Sequence, residues 1–80
     1  MNTQGHIKLS LGPNPAIDNI FIETNTPGKI LIMDMQGRRV RSDYILTKKL
    51  INVAELDNGI YLLIFTTSQQ AIVKKIIVHQ

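Results

Sequence analysis

The sequence predicts an all-β protein, an immunoglobulin-like antiparallel β-sandwich of about seven strands, and three observations lead there. The chain of 80 residues contains 13 Ile, 4 Val and 6 Thr against only 3 Ala, and β-branched side chains lose rotamer freedom in a helix but pack well on a pleated sheet. Apolar residues recur with period two in short runs. Turn-forming clusters of Gly, Pro, Asn and Asp separate those runs at intervals of roughly 8 to 12 residues, the spacing of a sandwich. One domain accounts for the whole length, and no long repeat or low-complexity segment divides it.

The elements follow in order. Ile7, Leu9 and Leu11 alternate with Lys8 and Ser10, and Gly12-Pro13-Asn14-Pro15 ends that strand because neither proline donates a backbone hydrogen bond. Asn19 to Thr24 is a second strand with Ile20 and Ile22 on one face. Pro27-Gly28 suits the central positions of a type II turn after it. Lys29 to Met33 is apolar on both sides, as in a buried central strand. Asp34-Met35-Gln36-Gly37-Arg38 reads as a hairpin loop, with Asp34 bonding its own following backbone and Gly37 taking a positive φ. Arg38 to Ser42 is the return strand. Asp43 to Lys49 has no clear period, and Tyr44 and Leu46 are expected to cover an open edge of the sandwich. Leu50, Ile51 and Val53 form a short strand, Glu55 to Gly59 a turn, Ile60 to Thr67 a long strand, Ser68-Gln69-Gln70 a polar turn, and Ala71 to His79 the last strand.

Composition narrows the chemistry. With no cysteine, disulfides, thiolate zinc sites, iron–sulfur clusters and thiol nucleophiles are excluded. His6 and His79 are the only imidazoles, one near each terminus, too few for a metal centre. The carboxylates Asp18, Glu23, Asp34, Asp43, Glu55 and Asp57 sit in or beside turns and present no pair for acid–base work. No enzyme activity, metal or other cofactor is expected. The net charge of +3 gathers only at Arg38 to Arg41, without an interleaved aromatic on which a base stacks, so a solvated hairpin explains it better than nucleic acid. No apolar run reaches the roughly 18 residues of a membrane span. Met1 to His6 lacks the basic and apolar regions of a secretory signal, so residues 1–6 read as a linker or remnant and an export signal would lie on a longer parent chain.

Three local patterns remain. In Leu56-x-x-Gly59-x-Tyr61 the tyrosine is expected to bury its ring and bond the backbone near Glu55 to Asn58, as at the corner of Greek-key sandwiches, with Gly59 allowing a tight entry. Ile60 to Phe65 is apolar at every position; a central strand accounts for this, with the side away from the core covered by the chain itself or by a partner. Lys74 and Lys75 are adjacent, so one lies on each face of a strand and the inward one sits at the rim of the core.

In this order and spacing the motifs Leu11-Gly12-Pro13-Asn14-Pro15-Ala16-x-Asp18, Ile32-Met33-Asp34-Met35-Gln36-Gly37-Arg38-x-Val40, Leu56-x-x-Gly59-Ile60-Tyr61 and Lys74-Lys75-Ile76-Ile77-Val78 resemble those of the C-terminal sorting domains of the Por secretion system, the type IX machinery of Bacteroidetes-type Gram-negative bacteria. The resemblance spans residues 7–80. It departs from the family pattern at Gly12, where a bulkier residue is common, and at the His79-Gln80 ending. It implies a non-catalytic address label, read by the outer-membrane translocon after export through the periplasm and then removed by a sortase-like cysteine protease, leaving the cargo at the cell surface or outside. On that reading Lys74, Lys75, Ile76 and Val78 meet the translocon, while Pro13, Asn14, Pro15, Asp34, Gly37, Leu56, Gly59 and Tyr61 shape the fold. A carbohydrate-binding or adhesive module is the alternative, disfavoured because Phe21, Tyr44, Tyr61 and Phe65 are few and expected mainly in the core.

Overall fold

Strict alternation over Asn19–Thr24 buries Ile20, Ile22 and Thr24 and exposes Phe21 and Glu23, and this parity organises the whole molecule. The computed structural model describes residues 6–80. Its strands are β1 (Leu9–Gly12), β2 (Asn19–Thr24), β3 (Gly28–Asp34), β4 (Arg39–Ile45), β5 (Lys48–Asn52), β6 (Gly59–Thr66) and β7 (Ala71–Val78). A three-stranded sheet of order β1-β2-β5 faces a four-stranded sheet of order β4-β3-β6-β7, every named pair antiparallel. The hairpins β1-β2, β3-β4 and β6-β7 each stay within one sheet, and the three intervening connections cross between sheets. This is the seven-strand sandwich that the periodicity implied.

The core lies between the sheets. Ile20, Ile22 and Ile51 come from the smaller sheet, Ile30, Ile32, Ile45, Leu63, Phe65, Ile76 and Val78 from the larger, and Ala16 and Val53 from the connections. Ile7, Leu9 and Leu11 pack against this cluster. Gly28 is required for a reason other than the one its sequence suggested. It opens β3 opposite Ile45 without a positive φ, so Pro27-Gly28 is not the centre of a type II turn. A Cβ on Gly28 would lie 2.5 Å from the Thr66 carbonyl oxygen and 2.7 Å from the Phe65 ring; the absent side chain is the space that the largest fully buried side chain fills.

Asp43 to Lys49 also resolves differently. β4 runs unbroken to Ile45, which is buried, whereas Tyr44 and Leu46 are 53% and 66% exposed and cover nothing. A bulge in β4 explains the change: Ile32 faces Arg41 but Met33 faces Arg39, and one extra residue inverts the sidedness of everything beyond it. The open edge is closed by polar groups. Arg41 Nε donates to the Asn52 carbonyl at 3.2 Å, and Lys49 Nζ of β5 reaches Asp43 Oδ1 at 3.2 Å.

The crossover from β5 to β6 is fixed by the expected tyrosine corner. The Tyr61 ring is buried, and its hydroxyl donates to the Asp57 carbonyl at 2.6 Å. Just before it Gly59 takes φ 156 with open space around the missing Cβ, a backbone conformation L side chains rarely adopt. Replacing Tyr61 with Phe leaves the Asp57 carbonyl without its partner at the same ring volume. Tyr61→Phe should therefore lower unfolding free energy by about 1–3 kcal/mol in a denaturant titration, with an unchanged m-value.

Candidate functional site

The larger sheet ends at β7, and the two halves of that edge differ. Along the first half, Ala71 to Lys75, no backbone partner among the described residues lies on the side away from β6; along the second half the chain has supplied its own. After β1 stops at Gly12, residues 14–16 return beside Ile77 and Val78, and Ala16 forms an isolated parallel bridge with Val78. The Ala16 amide donates to the Ile77 carbonyl at 2.7 Å and the His79 amide to the Ala16 carbonyl at 2.8 Å.

Asn14 extends this cover with its side chain. Its Oδ1 accepts from the Ile77 amide at 2.9 Å and its Nδ2 donates to the Lys75 carbonyl at 3.2 Å, so one carboxamide imitates a peptide group of an adjoining strand. Pro13 and Pro15 suit this role as well as the strand-breaking one, since a strap one residue deep has no use for their missing amides. The sequence marked Pro13-Asn14-Pro15 as a stop and missed the strap; a carboxamide between two prolines was the available signal.

Both lysines of β7 are exposed, with opposite directions. Lys74 is level with buried Leu63 and so has core-facing parity, at the rim beyond the smaller sheet, whereas Lys75 is level with Leu62 and faces outward. Ile76 and Val78 are each 1% exposed. Of the four residues expected to meet a partner, two thus present a surface and two hold the strand in place. The chain end is tied down beside them: the Gln80 amide donates to Asn58 Oδ1 at 2.7 Å, and its Nε2 to the carbonyls of Val53 and Leu56, each at 3.2 Å.

The remaining motif residues gather at the end of the sandwich around an open groove of about 600 Å³ between Asp34–Val40 and Glu55–Tyr61. Gly37 takes φ 86 in the hairpin. Asp34 Oδ1 accepts from the amides of Gln36 and Arg38, each at 2.9 Å, and Oδ2 from Arg38 Nε at 2.8 Å. The Arg38 amide first, then its guanidinium and the Gln36 amide, hold the Asp34 carboxyl below its ordinary value of 3.8 against partial desolvation. Every oxygen of Asp34 is therefore engaged in shaping the turn. The groove carries Arg38 and Arg39 against Glu55 and Asp57, a mixed lining that favours neither sign of ligand.

Aromatic placement differs in part from expectation. Tyr61 and Phe65 are buried, but Phe21 and Tyr44 are 44% and 53% exposed. They lie on different sheets, so these two rings do not flank a common sugar platform. The basic cluster is likewise divided: Arg38 is held by Asp34, Arg41 by the carbonyls of Asn52 and Val40, and Arg39 lies level with Met33 on the outer face.

Comparison with protein families matches residues 10–79 to the model described as secretion system C-terminal sorting domain. A search of curated proteins finds no match.

Two measurements check the local chemistry. Asn14→Ala removes both carboxamide bonds to β7 and should cost about 1 kcal/mol, with amide exchange accelerated at Ile77 well beyond its neighbours. Asp34→Ala should lower the melting temperature at pH 7. Because the folded-state pKa lies below the unfolded value, the Asp34 contribution is complete above about pH 4 and is lost as pH falls through the folded pKa. The gap between variant and parent melting temperatures should accordingly close on acidification.

Proposed function

The chain belongs to the family of secretion system C-terminal sorting domains, and from that premise we propose that it is the label by which the type IX translocon selects a cargo for delivery across the outer membrane, with a sortase-like cysteine protease removing the label afterwards. A type IX sorting signal directs export toward the cell surface or outside, and the family is generally non-catalytic. The finer steps, passage through the periplasm, reading by the translocon, cleavage and surface attachment, are our reading.

The observation that carries the proposal is the half-open edge of β7. A receptor serving many unrelated cargoes needs a surface that owes nothing to the cargo, and backbone amides and carbonyls at a sheet edge meet that need because a partner strand pairs with them whatever precedes the domain. Residues 71–74 leave that edge free among the described residues, while the strap at Asn14 to Ala16 holds the edge from the Lys75 carbonyl onward and limits how far an added strand extends. Outward-facing Lys75 then supplies a charge beside the open stretch and sets register. The sandwich is ordered before it binds, so recognition carries little ordering cost.

Fusion of residues 7–80 to the C-terminus of an inert exported reporter should carry it to the surface in a host with the type IX system. Retention in the periplasm, where a known sorting domain succeeds, sinks the proposal. Lys75→Glu should change stability by less than about 0.5 kcal/mol, as exposed substitutions do, yet reduce surface delivery. Normal delivery by folded Lys74→Glu and Lys75→Glu forms alike would place the recognition elsewhere on the domain.

A further inference from the structure

β6 is central in its sheet, and its outward residues are as apolar as its inward ones. Reading the outer face strand by strand, one row crosses Tyr44, Lys29, Thr66 and Ala71; the next Ser42, Leu31, Ile64 and Val73; the third Arg39, Met33, Leu62 and Lys75; and Ile60 and Ile77 follow. No described segment of the chain lies over this face: Val73 is 57%, Ile60 45% and Ile77 36% exposed. An antiparallel sheet solvated on one side ordinarily alternates apolar and polar residues. Here the alternation is absent across adjoining strands, the pattern of a sheet covered on both sides.

The charges identify the cover. Lys29, Arg39 and Lys75 stand around Leu31, Met33, Leu62 and Ile64, and none of the outward positions in these rows is a carboxylate. From strand spacing and rise the three cations form a triangle with sides of about 14–17 Å between backbone positions. Asp34 and Asp43, the acidic residues of these strands, have the opposite parity and are bonded to Arg38 and Lys49. A second copy laid against this face offers only like charges to like charges.

We infer that the outer face of the β4-β3-β6-β7 sheet docks a protein partner whose contact surface is apolar at its centre and carries carboxylates at its rim. This face adjoins the β7 edge and shares Val73 and Lys75 with it, but its centre lies on β3 and β6, and the inference does not depend on which machinery reads the edge. Apolar area supplies attraction and the three cations fix orientation and exclude wrong partners.

The test places the photoreactive residue p-benzoylphenylalanine at position 60, in place of exposed Ile60 on the central strand β6 and away from the β7 edge, in the protein as its own cell produces it. Position 50, in place of exposed Leu50 on the other sheet, is the control. Irradiation should yield a protein adduct from position 60 and not from 50, mapping by mass spectrometry to an apolar segment bounded by Asp or Glu. The pair Lys29→Glu and Lys75→Glu should reduce the yield about tenfold, and carboxylate-to-Lys changes at the mapped partner should restore it. Lys29→Gln and Lys75→Gln, without reversed charge, should give an intermediate loss and serve if the reversed pair melts early. The inference is overturned by an adduct to lipid, to a second copy or to a segment without carboxylates, by yields equal at both positions or indifferent to charge, or by no adduct.

Discussion

Three strands must cover four. The β4-β3-β6-β7 sheet is wider than the β1-β2-β5 sheet packed on it, so the inward faces of its outer strands run past their cover, and much else in the molecule answers that mismatch. On the β4 side the overhang is closed by Arg41 reaching the Asn52 carbonyl and by the Asp43–Lys49 pair. The Tyr44 amide and then the Lys49 ammonium hold the Asp43 carboxyl below its ordinary range. On the β7 side Lys74 takes a position of inward parity at the rim and stays exposed, as suits a side chain long enough to keep its charge in water. Farther along the same strand, where Ile76 and Val78 are fully buried, the strap carrying Ala16 closes the gap that a fourth covering strand would fill.

Period-two reasoning recovers these elements wherever the strand is regular. Ile20 and Ile22, or Leu63 and Phe65, declare a face by alternation or by position in a long run, and the tyrosine corner and the Asp34 turn are legible because their partners lie within four residues. Legibility fails at Tyr44, where the bulge exchanges inside for outside and nothing local marks the extra residue. It fails at Gly28 for another reason: the sequence shows a glycine after a proline but not the Phe65 ring, 37 positions on, that needs the space. The Asn14 strap is farther still from view, its partners lying 61 and 63 residues away.

The family motifs thus divide between shaping and display. Asp34, Gly37, Leu56, Gly59 and Tyr61 fix two turns at one end, and Asn14 with its flanking prolines fixes the edge of β7. On the readings proposed above, a short length of backbone, two lysines and one apolar sheet face are left to meet other molecules. A sorting signal read in the way proposed would present a surface kept constant by its turns, whatever cargo it is attached to.

An open sheet edge is also a template for the wrong partner. Ile72 and Val73 lie on the free stretch of β7, apolar and β-branched, in the part of the strand that the strap leaves bare. Identical chains crowded together could stack there edge to edge, beginning a cross-β fibre. Lys74 and Lys75 interrupt that stretch with two like charges, one on each face, so that every in-register neighbour brings cation against cation. The two charges are the barrier that the open edge carries against its own copies.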